Sequence, residues 1–595
     1  MSETPTFKTL QDVYLHSQFR FAERPLFGTR GPQGWEWLSY RGFGRQVDTL
    51  RTALAGLGIQ RGDRVAIVAD NRVEWAVALH ATVGLGACFV PMYAAQRVEE
   101  QVFILGDCRA RVLLVADSAM ARQLQGRRDQ LPSLEHLFVL DGEDQSSDWA
   151  QLMRIPGGGD PVPMRPVTPS DPAAFIYTSG TTGDPKGVIL SHGNLASNVQ
   201  GALAVFPIAP EDRSLSFLPW AHCFGQTAEL HAMYAAGASM GLAESVPKLL
   251  DNIAEVRPTI LISVPRIFNR IYDRMHQRMD SAGPLEKRLF DEALANARLR
   301  RELAGQGQQS LRVELKHAAF DRLVFSRVRE RFGGRLRYAV SGGAALSTRV
   351  AEFIEDVGIV VFEGYGLTET SPVVATNTPK AHRIGSVGKP LPGVRVVLDH
   401  SATEDVVDGE IVVYGPGVMR GYHQRPHDTA GAFTEDGGFR TGDMGRLDED
   451  GFLYITGRIK EQYKLENGKY VVPSPLEEEL QLAPLVGTAV LCGHNRPHNV
   501  ALVVPDWDAV ALWAANEDIP AQTPEQWVRD TRLQGAIQAQ VDEQAAAFKR
   551  YERPRAVGLV AEAFTVESGL LTPSLKVKRR AVLGRYSGVV EGLWA

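Results

Sequence analysis

Residues 175–195 read FIYTSGTTGDPKGVILSHGNL. A short apolar run, FIY, leads into ten residues of hydroxyl, glycine and lysine character, and a second apolar run, VIL, follows. Gly180, Gly183 and Gly187 let the backbone turn its N–H groups toward a common centre. Thr178, Ser179, Thr181 and Thr182 add hydroxyl donors and Lys186 adds a cation, so the loop suits polyphosphate oxygens. The Walker pattern needs Gly-Lys-Ser/Thr, whereas Pro185 precedes Lys186 here and Gly187 follows it, which disfavours P-loop kinases and ATPases. The plainer alternative for such a stretch is a glycine-rich hairpin between two strands.

On both sides of this loop the chain alternates strand and helix. Upstream, RVAIVA (64–69) is a β-branched run, Asp70 is placed to cap a helix over 72–83, and CFVPMY (88–93) is the next strand. A helix over 98–105 and the strand RVLLVAD (111–117) repeat the unit, as do PTILISV (258–264), LRYAVSGG (336–343) and IVVFEGYG (359–366) further on. Such alternation predicts a parallel sheet buried on both faces. Residues 266–333, rich in Arg, Glu, Leu and Ala, read as long surface helices, and the basic run at 326–337 either meets an anionic partner or is a solvated face. From 408 the pattern shortens to strands and glycine turns, GEIVVYG and GFLYITGR. After Arg458 a polar, lysine-rich stretch leads to a last region of strands (TAVLCG, NVALVVPD, RAVGLVAEAF) with a helix over 524–548. The predicted fold is α/β: a large N-terminal domain of parallel-sheet subdomains over 1–457, a connection at 458–460, and a small α+β domain over 461–595.

Composition narrows the classes. The 595 residues carry 64 Lys and Arg against 70 Asp and Glu, a net charge of −6, with 44% apolar and 23% charged residues. That balance is globular and disfavours a protein built to hold nucleic acid. Four cysteines without CxxC spacing predict neither a disulfide framework nor a zinc site, and so a reducing compartment. The longest apolar stretch, 75–93, is broken by His80, Gly84, Gly86 and Pro91, and reads as a buried helix and strand rather than a membrane span. With no basic, apolar leader at the start, the expectation is a soluble cytoplasmic protein. A GxSxG pattern at 237–241 lies in a small-residue strand and is set aside as a hydrolase signal.

YTSGTTGDPKG resembles the signature of the AMP-forming acyl-adenylate enzymes, a family that includes acyl-CoA synthetases, peptide-synthetase adenylation domains and luciferase. Further segments are similar in turn. GYGLTET (364–370) resembles the segment beside adenine and phosphates, which implies nucleotide contacts for Gly364, Tyr365 and Gly366, phosphate binding for Thr368 and a magnesium ligand in Glu369. SGGAA (341–345) resembles the adenine-lining turn and implicates Gly342 and Gly343. FRTGD (439–443) implies that Asp443 accepts the two ribose hydroxyls, as an acceptor-only carboxylate suits a diol. GRIKEQYK (457–464) resembles the family hinge, with Arg458 on the nucleotide and Lys460 at the pivot, so the small domain is expected to be mobile. LLTPSLKVKRR (570–580) resembles the segment of the catalytic lysine, here Lys576, although the commoner pattern has glycine where Leu575 stands.

FVPMY (89–93), LPWAHCFGQ (218–226) and YKLENGKYVVPSPLEEEL (463–480) point toward the long-chain fatty acyl-CoA synthetases. Ser474-Pro475 and Trp220 depart from that branch and are expected to bear on CoA or acyl selectivity. The resemblance implies ATP, a medium- to long-chain fatty acid and CoA as partners, with Mg²⁺ as cofactor. Peripheral membrane contact and a homodimer are both compatible with it. A ligase that loads acyl groups onto a carrier protein shares every nucleotide residue, and a catalytically silent nucleotide- or acyl-binding protein is the alternative from another class.

Overall fold

The computed structural model describes residues 6–141, 148–154, 160–178, 184–280, 282–402 and 407–594. The motif strands lie near one edge of the largest sheet. Pro172–Thr178 pairs antiparallel with Lys186–Ser191, so the segments flanking the loop do close a hairpin; Ser179, Gly180, Thr181, Thr182 and Gly183 lie outside the described residues. Next to this hairpin run Cys88–Met92, Arg64–Val68, Val112–Val115 and His136–Val139, all parallel, as the alternating pattern predicts. On the other side Gly421–Tyr422 pairs antiparallel with the hairpin, Tyr422 opposite Val188.

The run at 75–93 is a helix, Val73–Gly84, followed by the strand Cys88–Met92. Residues 75–84 are buried on every side of that helix, which explains a continuous apolar run in place of an amphipathic one. Asp70 does not cap it: Arg72 is the N-cap and no side chain accepts there. A second sheet joins Ile260–Ser263, Tyr338–Ser341 and Val361–Gly366 in parallel and ends in two short antiparallel strands. A third, of four strands, contains Ser239–Leu242, so the GxSxG serine sits buried at the first position of a strand. A fourth is antiparallel: Arg395–Asp399, Gly409–Tyr414, Phe439–Leu447 and Leu453–Arg458.

Helices Pro265–Asp280, Pro284–Gly305 and Leu311–Phe320 fill the predicted helical region. The final region builds its own core on Val486–Cys492, Asn499–Pro505 and Pro554–Leu559. The single helix expected over 524–548 is two, Pro524–Trp527 and Thr531–Gln544, because Asp530 accepts from the Arg532 N–H and starts the second as its N-cap. The four cysteines are buried and unbridged.

Candidate active site

The parallel strands of the second sheet aim their C-terminal ends at one place, where α/β sheets bind ligands. Tyr338–Ser341 delivers Gly342 and Gly343, and Val361–Gly366 ends in Gly364, Tyr365 and Gly366. All five line a narrow apolar cavity of about 60 Å³ with His222, Phe224 and Tyr338. Glycine at 342 lets the Phe224 ring approach, since a Cβ there would meet that ring at 2.9 Å and push it aside. Four residues deeper along the same strand, roughly 13 Å at strand rise, the Tyr338 ring stacks on Phe206 with centroids 5.8 Å apart. Its hydroxyl is buried and has no hydrogen-bond partner among the described residues. Trp220 does not line this cavity: it is fully buried against Trp75 and Phe27, so any bearing it has on CoA or acyl selectivity is indirect.

Antiparallel register sets Asp443 opposite Arg458. Arg458 Nε lies 2.9 Å from Asp443 Oδ1, and the Tyr365 hydroxyl donates to Oδ2 at 2.7 Å. Asp443 is almost fully buried. A carboxylate offers about four acceptor positions, so two remain for an incoming diol.

Glu369 accepts from the Tyr422 hydroxyl at 2.9 Å. Burial, opposed by this bond and by its own backbone N–H, raises the Glu369 carboxyl above the usual range. Lys186 Nζ sits 5.2 Å over the Tyr422 ring and 3.1 Å from Asp428. Tyr422 therefore ties the lysine of the loop hairpin to Glu369. Thr368 is buried next door, in a single turn Thr368–Thr370.

Lys576 comes from the small domain. Its backbone is held by a turn in which Thr572 N–H donates to Lys576 O at 2.8 Å and Lys576 N–H to Thr572 Oγ1 at 3.0 Å. Leu575 adopts φ 61°, the left-handed region that favours glycine, with its side chain exposed. Lys576 keeps solvent-exposed surface, yet its ammonium reaches into the cleft, where desolvation and then Arg458 lower its pKa while Asp443, Glu461 and Glu478 oppose them. Burial first, then the charge of Lys576, push His222 down to about 4. His222 is thus neutral near pH 7, and its Nδ1 accepts from the Phe224 N–H at 3.2 Å, which leaves the proton on Nε2.

The structure brings together Lys186, Gly342, Gly343, Gly364, Tyr365, Gly366, Thr368, Glu369, Asp443, Arg458 and Lys576, as well as Thr178 at the hairpin. Sequence reading did not single out Tyr422, Asp428, His222 or Glu478. His222 and Glu478 stood inside the quoted segments LPWAHCFGQ and LEEEL, but only the fold says which side chains face the cleft. Ser474 Oγ donates to Glu461 at 2.9 Å, beside the Lys576 cluster. Away from the cavity lining, Glu229 is fully buried and accepts from Ser214 and Ser216 at 2.8 and 2.7 Å; burial pushes it up to about 7.

Among the described residues no group of three or more His, Cys, Asp or Glu is placed to hold a metal. Glu369 alone still fits Mg²⁺, which takes one or two carboxylates and completes its shell with phosphate oxygens and water.

Comparison with known proteins gives the family and the fold. The model for AMP-binding enzymes matches residues 16–423, and that for the AMP-binding enzyme C-terminal domain matches 460–595. The chain is 35% identical over 559 residues to the long-chain-fatty-acid–CoA ligase FadD15 of Mycobacterium bovis, covering 92% of this chain and 91% of that protein. It is 32% identical over 619 residues to the peroxisomal long chain acyl-CoA synthetase 7 of Arabidopsis thaliana, covering 99% and 87%. The adenylation domain of a carboxylate reductase from Mycobacterium chelonae superposes with a TM-score of 0.78 at 23% identity, over 98% of this chain and 91% of that one. The anthranilate CoA ligase AuaEII, solved with anthranoyl-AMP, gives 0.73 at 22% identity over 98% of each chain.

Proposed function

The chain belongs to the AMP-binding enzyme family, and from that premise we propose that it joins a medium- to long-chain fatty acid to CoA in two steps. A carboxylate oxygen attacks the α-phosphorus of ATP and pyrophosphate leaves. The CoA sulfur then attacks the carbonyl of the acyl-AMP, losing its proton, and AMP leaves. One observation carries the reading: Tyr365, which lines the apolar cavity, bonds Asp443, which Arg458 pairs, and the charge of Lys576 is felt both by that pair and by the cavity-lining His222. A charged rim on an apolar slot suits a nucleotide beside an acyl chain.

In this reading the free acceptor positions of Asp443 take the ribose hydroxyls, and Arg458 fixes the orientation of that carboxylate. Gly342, Gly343, Gly364, Tyr365 and Gly366 form the walls against adenine and the acyl carboxylate. Neutral His222 presents an N–H rather than a cation to the acid. Thr178, Lys186, Thr368 and the loop residues Ser179 to Gly183 donate to phosphate oxygens. Mg²⁺ held by Glu369 would supply charge neutralisation at the phosphates. Lys576 adds a preorganised cation where negative charge gathers, the arrangement that lowers such barriers most.

The residues of the 458–460 connection then act as the pivot. Rotation of the small domain takes Lys576 out after the first step and brings a thiol-binding face in. The contacts Ser347–Glu479 and Lys578–Glu100 between the two parts fit the closed, adenylating arrangement.

No described helix is long and apolar enough to cross a membrane. The decisive experiment is mass spectrometry of products from palmitate, ATP, Mg²⁺ and CoA. Palmitoyl-CoA with AMP is expected. Palmitoyl-AMP without thioester would instead make the chain a carrier-protein loader, and no AMP from any acid of a C8–C18 panel would refute both.

A further inference from the structure

Tyr422 lies in none of the sequence motifs, yet its side chain serves two groups that meet the nucleotide phosphates if the ligase reading holds. Lys186 opens the hairpin strand Lys186–Ser191, and Glu369 stands in the turn Thr368–Thr370. The Tyr422 hydroxyl donates to Glu369 Oε1 at 2.9 Å, and Lys186 Nζ stands 5.2 Å from the centre of the same ring. One side chain thus holds a carboxylate by its polar tip and a cation by its aromatic face.

The backbone that carries Tyr422 is stitched to both neighbours. Met419 N–H donates to Glu369 O at 2.8 Å, Arg420 N–H to Ile189 O at 3.1 Å and His423 N–H to Gly187 O at 2.7 Å. Tyr422 N–H donates to Thr429 Oγ1 at 2.9 Å, and the Thr429 hydroxyl donates in turn to Arg425 O at 2.9 Å. The ring therefore cannot follow one partner away from the other without breaking several backbone bonds.

Packing alone does not call for the hydroxyl. The strand pairing at 421–422 uses backbone only, and phenylalanine would fill the same half-buried space. The hydroxyl is the only side-chain donor to Glu369 among the described residues. The last torsion of a glutamate is broad and two-fold, so an unheld carboxylate would turn. With Oε1 held, its plane is fixed and its remaining acceptor positions stay open to a hard cation. Lys186 has a second neighbour, Asp428 at 3.1 Å on the short helix Pro426–Gly431, but that pair is part-exposed and phosphate can displace it at small cost.

We propose that Tyr422 is a positioning residue of the adenylation step: its hydroxyl sets the Glu369 carboxylate for a phosphate-bound divalent cation, and its ring sets Lys186 for the same phosphates. Metal ligand and lysine then act as one unit, held by a side chain that touches neither metal nor nucleotide.

The test reads binding, with no acid and no turnover. Equilibrium dialysis of the full chain against radiolabelled ATP is run with Mg²⁺ varied and again in excess EDTA. Mg²⁺ complexes the free nucleotide equally in every sample, so differences between variants belong to the protein. For Tyr422→Phe the metal-free affinity should stay within about twofold of the parent, while the Mg²⁺ needed for half of the tightening rises at least about tenfold, the scale of losing a partner that orients a metal ligand. Tyr422→Leu, which loses the ring as well, should show the same Mg²⁺ requirement and bind ATP about two- to fivefold more weakly in EDTA. In a Glu369→Gln background, Tyr422→Phe should add less than about twofold, because the hydroxyl acts through that carboxylate alone.

Parent-like Mg²⁺ dependence in Tyr422→Phe overturns the proposal, as does full additivity with Glu369→Gln. Equal losses with and without Mg²⁺ also overturn it, being the mark of a merely structural role. A variant that fails to fold, checked by circular dichroism, loses binding in both arms and counts on that side. A parent that binds no ATP refutes the ligase reading itself, whereas a parent that binds ATP beside an indistinguishable Tyr422→Phe refutes only the role given to Tyr422.

Discussion

Substituting Asp443 by Asn isolates one recognition step. Arg458 and Tyr365 each occupy one side of the Asp443 carboxylate, at 2.9 and 2.7 Å, so the two remaining acceptor positions match the two ribose hydroxyls of ATP. Hydrogen bonds to a charged acceptor contribute about 1.5–3 kcal/mol each. Removing one hydroxyl from the nucleotide should therefore cost the parent roughly ten- to a hundredfold in kcat/KM. Asparagine keeps the volume but loses the charge and turns half of the group into a donor. Asp443→Asn should raise KM for ATP by a similar factor and, more tellingly, should discriminate ATP from 2′-deoxy-ATP only a few-fold. ATP–pyrophosphate exchange with both nucleotides closes the cycle, with thermal unfolding as the control for the disturbed Arg458 pair. If the variant penalises the deoxynucleotide as much as the parent does, Asp443 does not hold the ribose.

Lys576→Ala should cut adenylation at least about a hundredfold, the scale of one preorganised donor, while thioester formation from supplied acyl-AMP survives; equal loss of both half-reactions would refute the exchange of faces. Glu229 offers a pH test. Its folded pKa of about 7 lies above the ordinary 4.5, so the native state favours the protonated acid and stability falls as pH rises between those values. The loss amounts to about 3 kcal/mol above pH 7. Glu229→Gln should therefore raise the melting temperature at pH 8 and not at pH 4.5, and a gain independent of pH would contradict this. At the cavity, a chain of more than about ten carbons spans beyond the roughly 13 Å between Gly342 and Tyr338. Tyr338→Ala should then raise kcat/KM for palmitate over decanoate several-fold; an unchanged chain-length profile would place the acyl tail elsewhere.

Much of this site was legible because its motifs are local. SGG and GYG each sit at the end of one strand, and a strand end followed by glycine is readable from a few residues. Asp443 and Lys576 were legible only through resemblance, since TGD and a basic C-terminal segment are commonplace by themselves. Tyr422 and Asp428 were not readable at all. They reach Glu369 and Lys186 because Gly421–Tyr422 adds to the hairpin more than two hundred residues away in sequence, a pairing no local pattern encodes. The errors follow the same logic. Asp70 looked like a cap because it is a good capping residue before an apolar run, yet the helix starts later and is fixed by burial on all sides. Trp220 stood out only as a departure from the family pattern, and the fold draws it into the Trp75 and Phe27 cluster.

The left-handed backbone at Leu575 makes the lysine turn metastable. A bulky side chain held there lies about 1–2 kcal/mol above its relaxed conformations, close to a tenfold bias in population, and an exposed leucine gains nothing from burial to offset it. In the proposed cycle a glycine in that place would hold the same turn without this cost, so the leucine loosens the backbone that carries Lys576 by that margin.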